Sequence, residues 1–342
     1  MIEYSESQVL QLAAHVVGNG VNGEKLKLST EPLEVDNDLL HQSLLSYFLS
    51  NFTVPEYFQF NEIEANQLYS YASAIFSDPD TLFEHSVSIA SRLYEVSLVP
   101  TIKAGDLFVA YITNVSIAGR ATDAVGIFKS ETKDAYLKLN TSSPAFRVKA
   151  DQGVNVRKLD KGCLILNIER DSGYKILTVD TRNRMEAQFW MDEFLQLKPW
   201  EDDFQRTKNI MNVTRQYIDD QLSEEFAVNK ADKIEMMNRS MSFFKSRDTF
   251  DKHEFEAEVL EDPSVIESFR RFERTQNPEE DAATQFEISA QAVKRQARVF
   301  KSVLKLDKNF HIYIHGSREL IEKGFDEAAN KHYYKIYFDE ES

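Results

Sequence analysis

Cysteine is nearly absent: the 342 residues hold one, Cys163, so neither an internal disulfide nor a cysteine-based zinc cage can form. Cys163 opens the apolar run Cys163-Leu164-Ile165-Leu166, the pattern of a buried strand, where a thiol lacks the activating neighbours of a nucleophile. Long hydrophobic runs are missing too. Nothing approaches the ~20 apolar residues of a membrane span, and Met1 to Leu12 has neither the basic nor the apolar part of a leader. The expectation is a cytoplasmic chain with no membrane partner. Basic residues are in deficit, 40 against 56 acidic, for a net charge of −16. Because phosphate neutralisation supplies most non-specific affinity for DNA, the whole surface cannot coat it. Any DNA contact needs a local basic surface, and the remaining acidity serves solubility or docking on a basic partner. GxSxG, P-loop, HExxH and paired CxxC motifs are all lacking, so no cofactor is expected.

What is present is core material: 42% hydrophobic residues, including 24 Phe and 14 Tyr, each buried aromatic removing roughly 150–250 Å² from water. The length suits two domains. Residues 8 to 30 read as a hairpin, with Leu12, Ala14 and Val16 alternating before the Asn22-Gly23 turn signal and Leu26 and Leu28 after it. Helical spacing follows: Leu40, Leu44, Leu45 and Phe48, then Leu68, Tyr71, Ala72, Ile75 and Phe76, then a third helix from Pro79 towards Leu93. From Gly105 to Leu197 come short β-rich runs at 106–115, 124–129, 135–139, 145–149, 154–159, 163–169, 174–180 and 187–194. No helix long enough for a crossover separates them, which predicts an antiparallel sheet. Periodicity changes at Lys198-Pro199-Trp200, dividing the chain into an α+β domain over 1–198 and a helix-rich domain over 199–342. The second domain has breaks near Asp262-Pro263 and Asn277-Pro278, and Phe310 to Ile314 and Tyr333 to Phe338 read as a closing strand pair. The fold class is α+β.

Gly105-Asp106-Leu107-Phe108-Val109-Ala110 is followed by Asp123-Ala124-Val125-Gly126-Ile127-Phe128-Lys129-Ser130-Glu131, and the chain closes with Gly324-Phe325-Asp326 and Tyr333 to Phe338. These stretches, with His15-Val16-Val17-Gly18-Asn19 and Tyr47-Phe48-Leu49, resemble the bacterial nucleoid-associated NdpA (YejK-like) family in the same order along nearly the whole chain. The resemblance implies association with the nucleoid and, for some members, a link to type II topoisomerase. It implies no defined reaction and no catalytic residues. The expected partner is double-stranded DNA, touched directly or through a DNA-bound protein, and a homodimer is compatible with an open sheet.

Several constellations carry chemistry on paper. Lys294, Arg298, Lys301 and Lys305 recur at spacings of four, three and four, with Arg295 and Lys308 nearby, so a helix over 293–308 would show a basic stripe beside the apolar Val293, Ala297, Phe300 and Leu304. It is either a phosphate-tracking surface or a solvated face paired with acids such as Glu279, Glu280 and Glu287. A second basic cluster combines Arg147 and Lys149, on one face of a strand by period two, with Arg157, Lys158 and Lys161. It extends a DNA groove or blunts a sheet edge. Gly18-Asn19-Gly20-Val21-Asn22-Gly23 matches GxGxxG, but strand-like residues follow where a dinucleotide site needs a helix, so a turn is expected. Asp106 with Glu131-Thr132-Lys133 has the spacing of a Mg²⁺ nuclease, although acids at strand ends are commonly just solvated. His311, Tyr313 and His315 share a strand face, where imidazoles four residues apart stand ~13 Å apart, too far for one metal. Phe243, Phe244, Phe250, Phe255, Phe269 and Phe272 interleave with Arg247, Lys252, Arg270 and Arg271; at helical spacing such Phe residues belong to a core rather than a base-stacking platform.

Overall fold

The computed structural model describes residues 2–142, 144–181, 189–276, 284–300, 303–307, 309–313 and 320–340. The chain forms two compact units, Met1–Trp200 and Glu201–Ser342.

The first unit is a sheet sandwiched between helices. Its strands are β1 (Ile2–Glu3), β2 (Gln8–Val17), β3 (Tyr57–Phe60), β4 (Gly105–Ile117), β5 (Arg120–Ser130), β8 (Lys161–Leu166), β9 (Lys175–Asp180) and β10 (Leu197–Pro199). They run in the order β1-β4-β5-β8-β9-β3-β10, with β2 also on β4, and the ladders are antiparallel as expected. β6 (Lys133–Asn140) and β7 (Arg147–Val154) form a separate two-stranded ribbon inserted between β5 and β8. The helices α1 (Asp38–Leu49), α2 (Gln67–Ser77) and α3 (Leu82–Val96) fall where apolar spacing places them. Asn37 and Asn66 cap the first two by accepting the Leu40 and Tyr69 N–H groups. Alternation along the strands divides the core. One layer packs Leu45, Phe48 and Phe52 against Ala110, Phe128 and Leu164, while the other packs α2 and α3 against Val109, Val125, Cys163 and Ile176. Cys163 is buried, which pushes its thiol pKa up and keeps it inert.

Three details depart from the sequence expectation. The run 187–194 reads as a strand, but Phe189–Leu195 is a π-helical turn that buries Phe189, Trp190, Phe194 and Leu195; residues 182–188 lie outside the described part. Of the run 154–159, Val154 ends β7 and residues 155–159 form a turn rather than a strand. The opening hairpin is half regular, because β2 is answered only by a bridge between Val16 and Lys27.

His15 and Asn19 anchor that opening. The Asn19 amide donates to the Val99 and Ile102 carbonyls, both at 2.8 Å, and its Oδ1 accepts the Val21 N–H. A 3-10 turn over Gly20–Asn22 follows where a dinucleotide loop would need an α-helix, so GxGxxG is a turn here. Gly18 is required by close approach: a Cβ there would lie 2.8 Å from Glu24 and from the Lys25 carbonyl. His15 Nδ1 accepts the Ser29 N–H at 3.1 Å, so Nε2 carries the proton and faces Ser86 Oγ at 2.9 Å. Burial lowers its pKa below 6.5. The unfolded chain therefore takes up this proton first, and the stability that neutral His15 contributes is full above its unfolded pKa. As pH falls towards the folded pKa, that contribution declines by at most about 1.4 kcal/mol per pH unit. Thermal unfolding at about pH 7.5 and 5.5 will show a larger drop in midpoint for the native protein than for His15→Gln, since every other group titrates in both. Equal drops would exclude His15 as the source.

The second unit is helical and rich in phenylalanine. Helices Asp203–Gln216, Lys230–Ser246 and Pro263–Gln276 enclose Phe243, Phe244, Phe250, Phe255 and Phe269, with Phe272 packed against them. These rings are core, as their spacing predicts. The break at Asp262-Pro263 is present, while Asn277-Pro278 lies outside the described residues. β11 (Thr249–Asp251) pairs with β12 (Gln285–Glu287), β13 (Val303–Leu306) with β14 (Phe310–Tyr313), and β15 (Ile321–Asp326) with β16 (Lys331–Ile336), so each predicted C-terminal strand has its own hairpin partner.

Candidate nucleic-acid interface

The β6–β7 ribbon grows from a buried ionic root. Asp160, 1% exposed, holds the chain as it leaves β5: Oδ2 accepts the Glu131 and Thr132 N–H groups, each at 2.8 Å, and Oδ1 accepts the Thr132 hydroxyl at 3.2 Å. Around it lie two ion pairs, Lys129–Glu131 at 3.1 Å and Lys161–Asp180 at 2.8 Å, with side chains at most 6% exposed. Charges this deep persist only when paired and hydrogen-bonded. Further out, Lys133 pairs with Asp106 at 2.9 Å. The nuclease-like trio is thus brought together, but as structural ion pairs: Glu131 is closed off with Lys129, and Asp106 neutralises Lys133. Among the described residues no group of three His, Cys, Asp or Glu is placed to hold a metal. His311 and Tyr313 lie in β14; His315 is outside the described residues.

From this root the ribbon extends eight residues per strand, about 25 Å at the usual rise, and its described residues from 133 to 152 are exposed on both faces. Register decides what each face carries. Lys138 stands opposite Lys149, Asn140 opposite Arg147 and Tyr136 opposite Asp151; the alternate pairs are Leu139 with Val148 and Leu137 with Ala150. One face is therefore basic towards its tip and the other apolar. Like charges directly opposite destabilise a ribbon, and no acidic side chain among the described residues pairs with Lys138, Arg147 or Lys149. An anion between them would relieve that repulsion. Arg157 and Lys158 are exposed in the turn after β7, where Asn155 Oδ1 accepts the Arg157 N–H and Asn155 Nδ2 donates to Asp134. Lys161, by contrast, is buried in the root.

Sequence spacing brings out Arg147, Lys149 and Arg157 but not Lys138, whose importance comes only with the register. The alternation Tyr136-Leu137-Lys138-Leu139-Asn140, answered across Pro144 by Phe146-Arg147-Val148-Lys149-Ala150, was the available signal.

The continuous basic helix over 293–308 is not what forms. Ser289 caps a helix that ends at Gln296, with Lys294 and Arg295 in its last turn. Arg298 is exposed in the following turn, Lys301 and Lys308 lie outside the described residues, and Lys305 belongs to β13, opposite His311. The reason is tertiary: Leu306 and Ile312 of the hairpin pack on Ile234, a partner that helical spacing cannot anticipate. Lys294, Arg295 and Arg298 remain an exposed basic group of the second unit; the stripe to Lys305 does not exist.

The profile of the family described as nucleoid-associated protein YejK matches residues 14–332. The chain belongs to this family. No curated protein matches it. The family-like stretches now have structural reasons. Gly105 lies where a Cβ would meet the Ser130 carbonyl at 2.5 Å, and Gly126 is covered by the Phe128 ring, which stacks on Phe48 at 4.2 Å. Asp123 accepts from the Tyr111 hydroxyl at 2.8 Å. Gly324 is likewise covered by Tyr333. No described helix is long and apolar enough to cross a membrane.

Proposed function

We propose that this nucleoid-associated protein binds double-stranded DNA through the β6–β7 ribbon, with Lys138 on one strand and Arg147 and Lys149 on the other reaching phosphates, and Arg157 adding a contact at the base. What carries the proposal is the opposed Lys138–Lys149 pair on a ribbon bare on both faces, an arrangement that costs fold stability unless anions neutralise it. A two-stranded ribbon has the dimensions to enter a DNA groove. Phosphate contacts position a protein without reading sequence, so binding is largely sequence-independent. Lys294, Arg295 and Arg298 are a secondary phosphate contact of the second unit.

Mobility-shift titrations at several salt concentrations test this. Affinity should fall steeply with salt, by a slope of about −0.9 per phosphate neutralised. Replacing Lys294, Arg295 and Arg298 with Glu should weaken binding by no more than about tenfold. Loss of all binding in that variant would move the main contact away from the ribbon, and no binding at low salt would end the proposal.

A second reading makes the protein an adaptor that reaches the nucleoid through a DNA-bound partner such as a type II topoisomerase. The net charge of −16 and the exposed Phe325, Tyr333 and Phe338 near the C-terminus favour it. It predicts capture of purified topoisomerase that survives nuclease digestion, while the DNA-binding account predicts capture that nuclease abolishes.

A further inference from the structure

We infer that the ribbon enters the minor groove and bends the duplex, with Phe146 acting as a wedge between base pairs. This deepens the DNA contact proposed above and stands only with it. At the tip, Pro144 is exposed and Phe146 is 64% exposed, immediately before Arg147. Behind the tip, on the face away from the cations, Leu137, Leu139 and Val148 are 75%, 56% and 62% exposed. Single exposed leucines are ordinary on protein surfaces, but a run of apolar side chains along one face of a short hairpin marks a contact surface.

Charge decides the occupant. Lys138, Arg147 and Lys149 stand on the opposite face, from both strands, and long basic side chains reach back over a strand edge while their stems stay on apolar surface. A ribbon laid apolar face down between two rows of phosphates buries that face and lets the long cations of the other face reach the phosphates round its edges. The minor groove suits this: its pattern is degenerate, so an apolar surface there gives up little sequence readout by a protein that binds largely without it. It is only about 6 Å wide, whereas the two strands alone stand about 4.8 Å apart before side chains are added. Entry therefore widens the groove. Apolar wedges inserted between base steps accompany such widening in architectural proteins and kink the helix towards the major groove, and Phe146 is the exposed aromatic placed at the tip to do so. Flexible TA and CA steps should be preferred, because they unstack at least cost.

The test measures end-to-end energy transfer on a short duplex labelled at both ends, with mobility shifts run in parallel. The native protein should bend the duplex by about 20–90°. Phe146→Ala should bind within about threefold of the native affinity yet lose most of the bend, because the wedge exchanges stacking for contact with little net change; Phe146→Trp should keep it. Undiminished bending by Phe146→Ala, or binding by the native protein without bending, overturns the wedge while leaving the phosphate contact intact. Absence of any mobility shift at low salt overturns both. Should Leu137→Glu with Leu139→Glu turn a dimer into a monomer that still bends DNA normally, the apolar face belongs to a second copy and its placement in the groove is overturned.

Discussion

Reversing Lys138, Arg147 and Lys149 together to Glu is expected to weaken duplex binding by about a hundredfold or more. Each lost charge-assisted contact removes on the order of 1 kcal/mol net, and three such losses multiply to that factor. The new carboxylates then add repulsion to a chain that already carries −16. The salt dependence gives a second signature: the slope of log affinity against log salt should become shallower by about 2.7, or 0.9 for each phosphate released. Folding should be unaffected, since all three side chains are exposed and the reversal exchanges one like-charged cross-strand pair for another. Native-like affinity in the variant would place the contact elsewhere.

Asp160→Ala is the second large effect, and it falls on stability. Three contacts disappear at once, the Glu131 and Thr132 N–H groups and the Thr132 hydroxyl, and hydrogen bonds to a buried charged acceptor are worth more than neutral ones. A loss of about 2–4 kcal/mol from the first unit is expected, read as a lower denaturant midpoint. Asp160→Asn retains an acceptor oxygen and should lose less. Because Asp160 fixes the place where the chain enters the ribbon, Asp160→Ala should also weaken DNA binding under conditions where the unit stays folded. Were stability native-like, the ionic root would be irrelevant to how the ribbon is held.

Periodicity made the frame legible and register made the site. α1 to α3 follow from apolar spacing with Asn caps, and β4, β5, β8 and β9 from short alternating or continuous apolar runs. Phe189-Trp190 and Phe194-Leu195 misled because their aromatics favour strands; the buried pairs recur five residues apart, which is the repeat of a π-helical turn. β3 is not legible from pattern alone, because Tyr57-Phe58-Gln59-Phe60 is only four residues long and becomes a strand through β9 and β10. The basic helix failed at its far end for a similar reason, since Leu306 and Ile312 find Ile234 only in the folded chain. Arg147 and Lys149 were visible from spacing within one strand. Lys138 and the apolar reverse face needed the pairing across the hairpin, which no single-strand pattern contains.

Hydrogen–deuterium exchange on the full chain, with and without a short duplex at low salt, tests the central claim most directly. Among the described residues neither outer edge of the β6–β7 ribbon is paired, so its amides should exchange quickly in the free protein. On adding DNA, exchange across 133–154 should slow more than anywhere else in the first unit. Bound DNA with unchanged exchange over 133–154 would contradict the account.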